Sequence, residues 1–460
     1  MKWMVCLPIL VAACASTGWR AEKVRNIVGP NGESVFKIDE YRVSSDMLIQ
    51  KFRLQNGLKV IVLEDHSAPV FSYHTWFNVG SRNERDGITG IAHLFEHLMF
   101  KETKNLKEGE FDRILEERGG NINAATYVDW TFYRESMPKE SFDLIPKLEA
   151  DRMQNMILND HQVNSEREVV ANERRFRVDN SPDGQMNEAL YKTAFTHHPY
   201  HWPVIGWMKD IESISLQDCV EFYKTYYSPN NATIIVAGEV DTDHVLEESS
   251  RHYASIPAST IPTENFPQEP EQTSERSVRL SLTIPQEKMI LADNGPSLNE
   301  KDHAVLSILN GLLFEGHSSR LYRKLISDGA IASEASGSAD QTRDRGLYTI
   351  SITMNDGKGT DEARRIIEAE IEDLKTNLVG DDELTRTKNR IETSFWSSFG
   401  TTDEKAQNLG FYETVMMDYR KLFHEIEELQ NVTPAQIQEV ARKYLVASRR
   451  TVVTATPKRS

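Results

Sequence analysis

Apolar residues along this chain recur at two spacings, and each change of spacing marks an element. Lys51–Gln55 and Leu58–Glu64 alternate like half-buried strands around Asn56-Gly57, a dipeptide suited to the positive φ angles of a tight hairpin turn. Val70–Val79 reads as a further strand. From Asp86 to Phe100 the spacing becomes helical: Thr89-Gly90 can open the helix, and Ile91, Leu94, Phe95, Leu98 and Met99 form one apolar stripe. Helices are also predicted over His161–Asp179 and Leu216–Tyr226. A Pro-rich, acidic stretch from Ile256 to Glu275 then interrupts the pattern, with Pro257, Pro262, Pro267 and Pro270. Beyond it the order begins again, with strands at Ser277–Thr283 and Lys288–Asp293 and a helix at Asn299–Phe314.

A chain of 460 residues exceeds one ordinary core. The pattern therefore predicts an α+β protein of two units, 46–255 and 276–460, joined by a linker at 256–275. The net charge is −17, and no basic stripe of a nucleic-acid binder interrupts it. Three cysteines provide no disulfide framework and no thiolate zinc spacing, and Cys219, on an amphipathic helix, is expected to be buried. Lys2 precedes an apolar run, Trp3–Ala13, too short to span a bilayer comfortably, so residues 1–21 read as a leader. Val11-Ala12-Ala13-Cys14 fits a lipoprotein signal with Cys14 lipidated, while Ala13-Cys14-Ala15 fits small-x-small cleavage of a soluble periplasmic protein. Either reading expects a bacterial cell envelope, with membrane contact only through that anchor.

The candidate chemistry lies in the first predicted motif helix, at His93-Leu94-Phe95-Glu96-His97. At about 100° per residue, His93 and His97 sit ~40° apart and Glu96 ~60° to one side, so all three face one cleft. Two imidazoles can hold one Zn²⁺ while the carboxylate reaches a water at the open position. With 13 histidines in the chain, chance predicts roughly 0.03 such pentapeptides. A catalytic zinc needs a third protein ligand. On the helix His161–Asp179, Glu166 and Glu173 lie seven apart and ~20° from each other. One could bind metal while the other fixes an imidazole. Spacing alone leaves open that this is only a solvated charged helix, as Arg167, Glu168, Arg174 and Arg175 suggest.

His93-x-x-Glu96-His97, followed by Glu173 in the run Glu166-Arg-Glu-Val-Val-Ala-Asn-Glu173, resembles the pitrilysin/insulinase family of zinc metallopeptidases, the inverzincins. The resemblance runs from about Met47 to the C-terminus. It implies two homologous α/β-roll domains forming a clamshell, each a mostly antiparallel sheet packed with helices, of which only the first binds zinc. It further implies one Zn²⁺ held by His93, His97 and Glu173, with Glu96 as general base and Glu166 as an auxiliary acidic residue. Gly119-Gly120-Asn121-Ile122-Asn123-Ala124-Ala125-Thr126 matches the family's edge strand, so Asn123 and Ala124 would contact a peptide substrate by β-augmentation. Extended or unfolded peptides would be cleaved.

The loop histidines His197, His198 and His201 read as exposed residues beside prolines, not as a second metal site. The sequence departs from the family where an Arg/Tyr pair seven apart usually holds the substrate: Ile326 and Ser333 stand at those positions. Arg323, Tyr322 or Tyr348 could substitute, or a related motif-less subunit of a heterodimer could supply the pair; a homodimer is a further possibility. The rival reading is a non-catalytic partner or scaffold subunit, which the intact motif opposes.

Overall fold

The computed structural model describes residues 26–28 and 34–458, so the leader with Cys14 lies outside the described residues. Strands β1 (Asn26–Val28), β2 (Ser34–Arg42), β3 (Leu48–Leu54), β4 (Lys59–Glu64), β5 (Val70–Phe77), β6 (Asn121–Thr126), β7 (Thr131–Pro138) and β8 (Ala232–Gly238) form an eight-stranded sheet ordered β1-β2-β3-β4-β8-β5-β7-β6. Strands β9 (Arg276–Leu282), β10 (Lys288–Asn294), β11 (Ala332–Ala339), β12 (Leu347–Met354) and β13 (Arg450–Pro457) form a second sheet ordered β11-β12-β10-β13-β9.

The repeat expected from element order is visible in the pairing. In the first sheet β4 runs parallel to β8, and β8–β5, β5–β7 and β7–β6 are antiparallel. In the second, β9 runs parallel to β13, and β13–β10, β10–β12 and β12–β11 are antiparallel. Each sheet thus closes with an edge strand, β6 or β11, bonded on one side only.

Two expected boundaries need correction. The first unit does not begin at residue 46, because β2 pairs with β3 from Val35↔Leu54 to Arg42↔Leu48. That strand is only half-buried and carries charges throughout, so its alternation is weak in the sequence. The motif helix spans Ile91–Leu98 rather than Asp86–Phe100, since Gly87 and Gly90 turn the chain with φ of 90° and 92°.

Residues 257–275, within the expected linker, hold no helix or strand. They are nevertheless tied down. Glu264 meets Asn83, Phe266 lies 4.7 Å beneath the Arg82 guanidinium, and Glu269 accepts the backbone N–H groups of Thr196, His197 and His198.

The halves also exchange helices. Helix Pro182–Ala194 of the first half packs on β9, β10 and β13, and helix Thr402–Val415 of the second packs on β5 and β8. Met186 and Leu190 thereby meet Leu282, Val453 and Ala455, while Trp76, Phe132 and Ile235 meet Leu409, Tyr412 and Phe423. Each such buried side chain contributes about 1.5–3 kcal/mol, enough in sum to fuse the halves rather than tether them. The opposite face of the first sheet holds its own core, which includes Ile91, Leu94, Phe95 and Leu98 of the motif helix.

Candidate metal centre

The motif helix is aimed by contacts from outside it. Gly90 is left-handed at its start, and a Cβ there would meet the Ile205 carbonyl at 2.5 Å. The Glu84 carboxylate accepts the N–H groups of Gly90 and Ala92, each at 2.9 Å, capping the helix from six residues upstream. Near its end the Tyr133 hydroxyl donates to the Phe95 carbonyl at 3.2 Å. With the apolar stripe sunk into the core, His93 and His97 face Glu173 of the second helix, Asp160–Arg174, and Glu96 lies toward β6. That helix is capped by the Asn159 side chain and continues into one π-helical turn, Arg175–Asp179.

Three expected ligands converge. Glu173 Oε2 lies 3.3 Å from His97 Nε2 and 3.7 Å from His93 Nε2, and donor atoms of all three residues lie within 4.8 Å of one another. A tetrahedral ion bound at ~2.0–2.1 Å needs donors about 3.3–3.4 Å apart, so the cluster fits zinc after a small closure. Two imidazoles and a carboxylate leave the fourth position open, as catalytic rather than structural zinc requires. Among the described residues no other group of three such side chains comes together, and of the loop histidines expected to be exposed His198 is instead buried, paired with Asp344 at 3.2 Å.

The electrostatics of the cluster are set by burial and by the carboxylates around it. Burial, aided by the neighbouring His97 charge, pushes the His93 imidazole down to about 4. Burial would also lower His97, but the Glu166 and Glu173 carboxylates outweigh it and hold that imidazole up at about 9. The His97 hydrogen bond keeps Glu173 below the usual carboxylate range. Burial raises the Glu96 carboxyl, against a hydrogen bond from Thr126.

Glu166, expected as an auxiliary acidic residue, contacts the far side of the His97 ring. Its carboxylate is 3.5 Å from His97 Nδ1 and 2.7 Å from Lys101 Nζ, so it orients the imidazole without facing the ligand cluster. Glu166 and Glu96 both line a cleft of about 480 Å³, together with His97, Lys101, Asn123 and Ala124. The cleft therefore runs along β6, whose outer edge is unpaired, and the Asn123 side chain there accepts the Ala124 N–H at 2.9 Å.

Sequence reasoning missed Lys101 and Arg177. Lys101 bridges Glu166 and Glu108, and Arg177 Nε lies 3.0 Å from Glu173 Oε1. The i,i+4 spacing of Glu173 and Arg177 was the available signal. Of the proposed substitutes for the absent clamp, Tyr348 is ruled out, being fully buried in the second core with its hydroxyl on Asn310. Arg323 is paired with Asp328, and Tyr322 packs on His317. Ile326 and Ser333 supply neither guanidinium nor phenol.

In the second half the counterpart of the motif helix is Asp302–Phe314, which touches both β11 and helix Asp381–Ser397. Ser307, Asn310 and Gly311 reproduce the 93/96/97 spacing, with Gly311 against Thr387 of that helix, and none is a metal ligand.

Two family models match the chain, and they meet near residues 206–213 rather than at the linker. Residues 59–206 match the family model described as insulinase (peptidase family M16), and residues 213–391 match the one described as peptidase M16 inactive domain. A Helicobacter pylori protein named zinc protease PqqE is 33% identical over 409 residues, 88% of this chain and 92% of that one. An Arabidopsis thaliana protein named probable mitochondrial-processing peptidase subunit beta is 24% identical over 85% of this chain and 75% of its own. The crystal structure of a protease from Helicobacter pylori covers 89% of this chain and 99% of its own with a TM-score of 0.85 and 32% identity.

Proposed function

The chain belongs to the insulinase peptidase family M16, and from that premise we propose that it is a zinc-dependent endopeptidase acting on extended or unfolded peptides. The observation that carries this reading is the convergence of His93, His97 and Glu173 in a cluster that fits zinc, beside a cleft lined by Glu96. His93, His97 and Glu173 would hold one ion. Zinc, when bound, would polarise the scissile carbonyl and bring the attacking water's pKa towards ~7.

Glu96 takes the proton of the attacking water and returns it to the departing amine as the C–N bond breaks. Burial suits it to both steps, because a carboxyl raised from its ordinary value holds the transferred proton longer. Glu166 and Lys101 keep His97 Nδ1 engaged and its Nε2 turned to the cluster. The substrate backbone adds a strand to β6; if Asn123 swings off the Ala124 N–H, that donor is free for a peptide carbonyl.

Glu96→Gln tests the assignment. It should retain zinc by elemental analysis and lose peptide cleavage by about 10²–10⁴-fold. Cleavage at the wild-type rate would remove Glu96 as the base.

A specific absence favours a second subunit in the active assembly: Ile326 and Ser333 leave the second half without a substrate clamp, and a relative of this chain is named as a subunit. Full peptidase activity of the purified chain as a monomer would overturn that part of the reading. The non-catalytic scaffold alternative is disfavoured by the intact ligand cluster.

A further inference from the structure

The second half has lost the metal ligands but not the cleft. A cavity of about 550 Å³ opens where Ser307 and Asn310 of the motif helix's counterpart face Gly337 of β11. It is closed from behind by the first sheet, through Trp76 and Trp130, and from the sides by Phe395, Phe411 and Tyr412. Ser338, Gln341, Ser394 and Gln407 form an exposed mouth.

Its chemistry is one-sided. Glu315 and Glu425 line it, and no Lys or Arg does. Arg390 approaches Glu315 from outside, donating to its backbone carbonyl. Tyr412 donates to Glu425, and His303 Nδ1 lies 3.7 Å from the same carboxylate. His303 itself is 2% exposed, and neither of its ring nitrogens has a hydrogen-bond partner. A buried imidazole without partners is costly in a finished core and marks a polar site that a ligand or water completes.

We propose that this cavity binds a small organic cation of the guanidinium or alkylammonium type. Two carboxylates satisfy the charge, and the faces of Trp130 and Phe411 offer cation–π contact. The amides of Asn310, Gln341 and Asn408 can bond the remainder of the ligand. The cation can arrive free or on an arginine or lysine side chain. Both share the chemistry and differ in what emerges from the mouth. The site is independent of the metal cluster and of whether the chain hydrolyses peptides.

Calorimetric titration of the full-length, zinc-loaded chain tests the assignment, with agmatine as the free cation and N-acetyl-arginine amide as the side-chain form. N-acetyl-citrulline amide serves as the neutral isostere. At least one cation should bind, perturb tryptophan emission, and bind at least about tenfold more tightly than citrulline. The paired change Glu315→Gln with Glu425→Gln should abolish that preference. Ser394→Trp, at the exposed mouth, should block entry without disturbing the core. A preference for agmatine assigns a free cation, and the reverse assigns a side chain. No binding of either cation at millimolar concentration, equal binding of citrulline, or binding unaffected by both variants overturns the proposal.

Discussion

Zinc uptake by this protein should be coupled to protons, and His97 sets the slope. The metal takes only neutral imidazole, so any proton on a ligand must leave as the ion binds. His93, held down at about 4, is already neutral at pH 7. His97, held up at about 9 by Glu166 and Glu173, lies two pH units below its midpoint there, so only about one molecule in a hundred is ready to bind. Apparent affinity should therefore rise about tenfold per pH unit, roughly a hundredfold or ~2.7 kcal/mol between pH 7 and pH 9, and then level off. In the metal-free protein the same shift stabilises the fold fully below the unfolded imidazole value of about 6.5. That contribution is lost as pH climbs through about 9.

Competition against a chromophoric chelator across this range would give the slope. Calorimetry at pH 7 in buffers of different ionisation enthalpy should count about one proton released per zinc. Glu166→Gln removes one of the two carboxylates beside His97, so it should move the levelling-off point to lower pH. A flat affinity between pH 7 and pH 9, or zinc uptake with no proton released, would refute the arrangement of charges described above.

Two further changes probe the frame behind the site. Arg152 is 1% exposed, pairs with Glu135 and Glu149, and lies 4.3 Å from the Tyr133 ring centre. Arg152→Met should cost about 3–5 kcal/mol in denaturant unfolding, because it strands two buried carboxylates; a loss under about 1 kcal/mol would show that they are not paired as described. Gly90→Ala forces φ of 92° on an alanine and a clash with the Ile205 carbonyl. It should lower stability by about 1–3 kcal/mol and weaken zinc retention, since the helix start must shift; unchanged melting and metal content would contradict this.

Much of the site was legible because its signal is local. His93, Glu96 and His97 share one helical face by period alone, and Glu166 and Glu173 share another for the same reason. The Asn56-Gly57 hairpin and the helix Leu216–Tyr226 follow equally from turn chemistry and periodicity. That the two helices meet was not in the spacing; it came with the family resemblance.

What the chain alone determined is which residues can chelate, which faces must be buried, and that the order of elements repeats. Tertiary structure decided the rest. Glu84 caps the motif helix from outside it, Tyr133 anchors its far end from another strand, and Glu166 turns away from the ligand cluster to hold His97. Tertiary structure also decided that each half lends a helix to the other's sheet, and that the second copy's cleft is closed by Trp76 and Trp130 of the first. The physical reason is range. Backbone geometry fixes which residues share a face within one element, whereas partners on different elements are chosen by which apolar surfaces remain uncovered once each sheet has formed.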